Sequence, residues 1–196
     1  MPTVSPHVPR RPPRAPRALA AAVLLPLASA CLARAPQRPA PSAAPEFRPE
    51  AFFAGRTHGV GTLDVRGRAP RALRVEGEGR LAADGTFQLD QRVTSADGSV
   101  ETRTWRLRRV DERRYAATLS DARGPVAAEV DGNRLHLRYE IRRPAVVMEQ
   151  WLALEPDGRT VRNAATVTVL GVPWARLSEV ITREAPAPGA PVAQGR

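Results

Sequence analysis

One cysteine, Cys31, no lysine and only three histidines stand in this chain of 196 residues. A lone cysteine excludes an intramolecular disulfide. The histidines, His7, His58 and His136, have no carboxylates beside them in ligand spacing, so no metal site is expected. Gly-x-Ser-x-Gly is absent, which removes the usual signature of a serine hydrolase. Gly55, Gly59 and Gly61 neither follow a predicted strand nor open a long helix, so they make no phosphate loop. Apolar runs long enough to span a bilayer are missing too, the best being Ala18 to Leu27. Aromatic residues are only 5% of the chain and are not interleaved with a basic patch. The formal charge of +10 comes from arginines dispersed among acidic residues, and with alanine, proline and glycine abundant it reflects coding bias rather than a phosphate-binding face. Nucleic acid is therefore not an expected partner.

The residues that are present divide the chain. Arg10 to Arg17 form a positive stretch without acidic residues, Ala18 to Leu27 an apolar run, and Ala28-Ser29-Ala30 a small-residue segment just before Cys31. This is the layout of a secretory signal over residues 1–30. Two processing schemes compete. Ala28-x-Ala30 suits ordinary signal peptidase, while small residues directly before a cysteine match a lipobox, after which Cys31 is lipidated and becomes the new N-terminus. The lipoprotein reading is preferred because it accounts for an otherwise stray thiol. It implies a membrane partner through the lipid anchor and a periplasm-facing place in the cell envelope. Leu32 after the cysteine carries no retention signal, so the outer membrane is the expected site.

Residues 31–45 contain little but alanine, proline, arginine, glutamine and serine and read as an extended tether. Residues 185–196 have the same composition and read as a disordered tail. Between them, Glu46 to Phe53 is expected to form a short helix, and the three glycines at 55, 59 and 61 to punctuate the entry to the first strand. From there the hydrophobic period is two. Leu73, Val75, Gly77, Gly79 and Leu81 alternate with charged residues, Phe87, Leu89, Gln91 and Val93 with Gln88, Asp90, Arg92 and Thr94, Leu135, Leu137, Tyr139 and Ile141 with arginine, histidine and glutamate, and Val161, Ala165, Val167 and Val169 with arginine and threonine. Hairpin signals lie between such runs at Asp84-Gly85, Asp97-Gly98, Asp131-Gly132-Asn133 and Asp157-Gly158. Nine or ten strands joined this way make one all-β domain over residues 46–184. Its architecture is an antiparallel up-and-down barrel or strongly curled sheet, since closure removes free edges; a two-sheet sandwich is the alternative.

Two strands break the alternation. Arg103 shares a face with Trp105 and Leu107, and Glu149 shares one with Val147 and Trp151, each charge two residues before a tryptophan. A buried charge is costly unless paired. Arg103 and Glu149 are therefore expected to meet as an ion pair under the tryptophans, or to hold a polar group inside the barrel. Asn163, on the apolar face of its own strand, is a third member.

Phe52-Phe53-Ala54-Gly55, Gly59-Val60-Gly61, Asp97-Gly98 leading to Arg103-Thr104-Trp105-Arg106, Glu149-Gln150-Trp151-Leu152, and Asn163-Ala164-Ala165-Thr166 with Gly171 occur in that order. Together they resemble the bacterial lipoprotein family of unknown function DUF3833, over residues 52–183. Val60 stands where that family has a tryptophan-like position. The resemblance implies a signal peptide, a lipidated cysteine and a lipocalin-like β fold, and implies no activity. The Gly-x-Trp start of the lipocalins themselves is absent.

The function these residues suggest first is a membrane-tethered β-barrel that binds a lipid or other apolar small molecule at Arg103, Trp105, Glu149, Trp151 and Asn163. A structural or assembly lipoprotein with a packed barrel, working through its surface, is the second reading. An enzyme using Arg103 and Glu149 as electrostatic and acid-base groups is the third. No cofactor is indicated, and no protein partner is identified.

Overall fold

The computed structural model describes residues 39–42, 45–142 and 145–185. All of these fall in one compact unit, Ala33–Arg196. The expected signal segment, the lipidation site Cys31 and the tail beyond Ala185 lie outside the described residues. A helical turn, α1 (Pro49–Phe52), precedes ten strands: β1 (Gly55–Val65), β2 (Arg71–Leu81), β3 (Phe87–Ser95), β4 (Val100–Arg109), β5 (Arg114–Leu119), β6 (Arg123–Asp131), β7 (Arg134–Arg142), β8 (Val146–Leu154), β9 (Thr160–Val169) and β10 (Val172–Arg183). Each pairs antiparallel with its sequence neighbours, and β10 returns to β1 from Thr57↔Arg183 to Val65↔Ala175, so the sheet closes into an up-and-down barrel. The antiparallel up-and-down barrel expected from the period-two pattern is the architecture observed, and the sandwich is not.

Turn chemistry sets the hairpins. Asp84, Asp97 and Asp157 each accept a backbone N–H from the residue two positions on through their carboxylates. The glycine that follows each aspartate takes a left-handed conformation, with φ of +79°, +83° and +64°. The aspartate therefore closes the turn locally, and the glycine supplies the backbone angle that a side chain resists. These contacts hold the three carboxyls below the usual carboxylate range.

The two rims of the barrel differ. At one, Phe47, Phe52 and Phe53 pack into the end of the barrel, with Phe52 and Phe53 meeting edge to face at 4.9 Å. The expected helix over Glu46 to Phe53 is shorter, because Arg48 is extended and Pro49 opens the turn. The backbone N–H of Phe47 reaches the Gly132 carbonyl at 2.8 Å, and the Tyr115 hydroxyl donates to Glu50 Oε2 at 2.9 Å. The segment thus seals this rim over Phe87, Leu135 and Val161, all no more than 2% exposed. At the other rim no such cap stands among the described residues. There the inward side chains Leu63, Val93, Ile141, Met148, Val167 and Leu177 are only half-buried.

Gly59 and Gly61 lie inside β1 rather than before it, a correction to their reading as the entry to the strand. They face inward, opposite β10. A Cβ added at Gly59 would come within 2.1 Å of Glu179 Oε1. A Cβ added at Gly79 would meet the Phe53 carbonyl oxygen at 2.0 Å. These glycines leave room for a side chain and for the cap.

Pro39 to Ser42, part of the expected tether, run beside the β6–β7 turn. The Ser42 backbone N–H donates to Asn133 Oδ1 at 2.8 Å, and Arg134 Nη1 donates to the Pro39 carbonyl at 2.7 Å.

Candidate functional site

The interior polar residues form two connected groups. On β3 and β4, Gln91 stands directly opposite Arg103. Its Oε1 accepts from both Arg103 Nε at 3.1 Å and Trp105 Nε1 at 2.9 Å, so one amide oxygen positions a guanidinium and an indole together. Trp105 meets Tyr139 of β7 edge to face at 5.4 Å. From there the second group begins. Gln150 Nε2 donates to the Tyr139 hydroxyl at 2.6 Å, and Asn163 Nδ2 donates to Gln150 Oε1 at 3.4 Å and to Glu179 Oε2 at 3.0 Å. Four strands, β7 to β10, thus place a tyrosine, two amides and a carboxyl in one chain of hydrogen bonds.

Gln91, Arg103 and Trp105 of the first group and Gln150, Asn163 and Glu179 of the second line a cavity of about 40 Å³, whose remaining wall includes Leu89, Leu107, Leu137, Leu152 and Ile181, with Phe53 and Pro49 at the capped end. At roughly 10–15 Å³ of such volume per water, it has room for about three waters. Two oxygens on the second group, Asn163 Oδ1 and Glu179 Oε1, are buried without a hydrogen-bond partner. The terminal nitrogens of Arg103 likewise make no hydrogen bond among the described residues.

Burial raises the Glu179 carboxyl above its ordinary value, against the opposing pull of the Asn163 hydrogen bond and the Arg103 charge. Burial also pushes the Tyr139 hydroxyl up to about 12, which keeps it neutral at any physiological pH. The interior therefore presents a cation on one side, a carboxyl biased toward its neutral form on the other, and amides between them.

Of the residues singled out from the sequence, Arg103, Trp105 and Asn163 face this cavity. Glu149 and Trp151 do not. The register Leu137↔Gln150 and His136↔Trp151 turns Gln150 and Leu152 inward and Glu149 and Trp151 outward. The expected meeting of Arg103 and Glu149 is thereby corrected. Glu149 accepts instead from His136 Nε2 at 2.8 Å on the outer face. There Trp151 stacks on the His136 ring at 3.9 Å, with the Arg134 guanidinium 5.6 Å from its centroid. The carboxyl that faces Arg103 from the far wall is Glu179, which the sequence reading missed, together with Gln150 and Tyr139. Its signal was available: Leu177, Glu179 and Ile181 share one face of β10, the same break in alternation that marked Arg103.

Among the described residues no group of three histidine, cysteine, aspartate or glutamate side chains could hold a metal ion.

The barrel is similar to two solved structures. One is the S-type phycobiliprotein lyase CPES from Guillardia theta, at 8% identity and a TM-score of 0.56 over 70% of this chain and 91% of that one. The other is Rv2717c from M. tuberculosis, at 15% identity and a TM-score of 0.52 over 71% of this chain and all of that one. At such identities the likeness concerns the fold alone. No curated protein matches the sequence. The family described as a protein of unknown function (DUF3833) matches residues 25–183, and the chain belongs to that family.

Proposed function

We propose that the protein is a binding barrel for a small, largely apolar molecule with one polar end. The molecule enters at the uncapped rim and sets its polar end between Arg103 and the Asn163–Glu179 pair. The observation that carries this reading is the pair of buried, unpartnered oxygens, Asn163 Oδ1 and Glu179 Oε1, on the wall of the interior cavity. Each buried polar atom without a partner costs about 1–3 kcal/mol, a penalty that a bound polar group removes. Arg103 donates, Asn163 Oδ1 accepts, and Glu179 accepts when ionised or does either when protonated, so a carboxyl, amide or hydroxyl end fits. The half-buried aliphatic side chains of the open rim accommodate the apolar remainder. Trp105 forms part of the cavity wall, with Tyr139 packed edge to face against it.

In the same reading the barrel is an envelope lipoprotein, carried on the periplasmic face of a membrane, most simply the outer membrane, by a lipid on Cys31. What supports this is the order of positive stretch, apolar run and small residues before that cysteine. Glu149 and Trp151 keep a role outside the barrel, where they frame His136.

A second reading, a filled barrel that works through its outer surface, draws support from the small size of the cavity, since small barrels are often packed with their own side chains. Titration of the full chain with cis-parinaric acid separates the two. A binding barrel gives saturable fluorescence enhancement that Arg103→Met and Glu179→Leu each weaken at least tenfold, about 1.4 kcal/mol. A filled barrel gives no saturable signal, or one indifferent to both changes.

A further inference from the structure

We propose that the tip of the β9–β10 hairpin is a docking surface for an anionic lipid bilayer. Leu170, Val172 and Trp174, exposed by 68%, 50% and 47%, follow one another along this hairpin. The other large exposed apolar residues among those described, Val60, Leu81, Val100 and Val110, stand ten or more residues apart along the chain. Isolated exposed apolar side chains are ordinary, whereas a contiguous group marks a contact surface.

The tip is also built against its own local preferences. Leu170 and Gly171 both take positive φ, +50° and +79°, between the paired Val169 and Val172, which makes a two-residue turn of the primed type. Such turns favour asparagine, aspartate or glycine at the first position, and a leucine there carries a backbone cost. The aspartates of the Asp-Gly hairpins keep negative φ, and Ala145 is the one other non-glycine residue among those described that takes a positive φ. The leucine contributes nothing to the core, so what it offers is its exposed side chain.

Trp174 sits at the register shift between Pro173 and Ala175, and its carbonyl accepts the Arg66 backbone N–H at 2.9 Å. That bond ties the apolar tip to the β1–β2 turn, which carries Arg66 and Arg68 and leads into Arg71 at the start of β2, with no acidic residue between Val65 and Val75. Arg71 lies 3.7 Å from Asp97, while Arg66 and Arg68 are exposed and make no ion pair among the described residues. Asp64, on the neighbouring stretch of β1, is the acidic group nearest in sequence to this turn. A tryptophan and a leucine beside unpaired arginines match the chemistry of an anionic interface, where an indole sits at headgroup depth and basic residues are drawn to the lipid charge. The surface lies on the uncapped rim, so docking would face the open end of the barrel toward the lipid.

The test uses the full chain with vesicles of phosphatidylcholine and phosphatidylglycerol in which some phosphatidylcholine carries brominated acyl chains. Docking predicts bromine quenching of the tryptophan emission that disappears in Trp174→Phe, because Trp105 is buried in the barrel and Trp151 lies stacked on its flank. Because quenching reports Trp174 itself, attachment through the N-terminal segment does not imitate it. Arg66→Gln with Arg68→Gln should weaken the quenching titration by about thirtyfold at low salt. Leu170→Asn should weaken it while raising the melting temperature, since asparagine suits the turn. Equal quenching of the wild type and Trp174→Phe, or quenching by pure phosphatidylcholine vesicles as strong as by the anionic ones, would overturn the proposal.

Discussion

Glu179 is the residue on which the interior depends most, and its energetics are readable from its surroundings. It is 5% exposed, its Oε2 accepts from Asn163, and Gly59 and Gly61 across from it have no side chains to fill the space it occupies. Burial raises its carboxyl pKa above the ordinary 4.5. A carboxyl raised in the folded state holds its proton longer when folded than when unfolded. It therefore lowers stability as pH climbs from the unfolded value through the folded one. Glu179→Gln removes that dependence while keeping the shape. Thermal melts should show the variant and the wild type nearly level at about pH 4, with the variant gaining steadily toward neutrality. A constant difference across that range would show that the carboxyl does not ionise at a raised pKa. Arg103 was legible in the sequence as a charge on an apolar face, and Glu179 was equally legible by the same rule. Glu149 misled because Val146 to Leu154 is apolar on both faces. In such a strand the period of two names no inside, and a tryptophan can lie outside where it has a histidine to stack on.

At the scale of elements, the cap and the hairpins explain what the pattern did and did not disclose. Asp-Gly turns could be placed from the sequence because their chemistry is local: an aspartate that accepts the backbone two residues on and a glycine free to take positive φ. Four strands alternated cleanly enough to be placed with their faces. The cap was visible only as a short helix, since its meaning lies in contacts distant in the chain, from Phe47 to Gly132 and from Glu50 to Tyr115. Its removal should be felt. Phe52→Ala empties a buried ring site and is expected to cost about 3–5 kcal/mol of unfolding free energy in urea melts. Tyr115→Phe, which loses the bond to Glu50, is expected to cost about 1–2 kcal/mol. A neutral result for both would mean that the cap does not seal the barrel.

On the scale of the molecule, closure was predictable as a principle. Ten antiparallel strands in sequence order leave two edges to protect, and pairing β1 with β10 abolishes both. The volume left inside was not predictable, because it depends on how large side chains such as Trp105, Tyr139 and Phe87 interdigitate across the barrel rather than on any period along the chain. One rim carries the cap and the contacts of Pro39 to Ser42, and the other carries the half-buried aliphatic ring and the apolar hairpin. A chain anchored through Cys31 should fractionate with membranes. Cys31→Ala should lose that lipid, and the mature form should move to the soluble periplasmic fraction. Retention of the variant in the membrane fraction with unchanged lipid incorporation would contradict lipidation at this position.

The central claim, that the interior holds a small molecule between Arg103 and the Asn163–Glu179 pair, is tested most directly by native mass spectrometry of the full chain purified from a bacterial envelope. The account predicts a single non-covalent small-molecule adduct on the wild-type protein. In Glu179→Leu and Arg103→Met that adduct is lost, while circular dichroism still reports the barrel. A bare wild-type mass from a folded preparation, or an adduct that survives both substitutions, would contradict it.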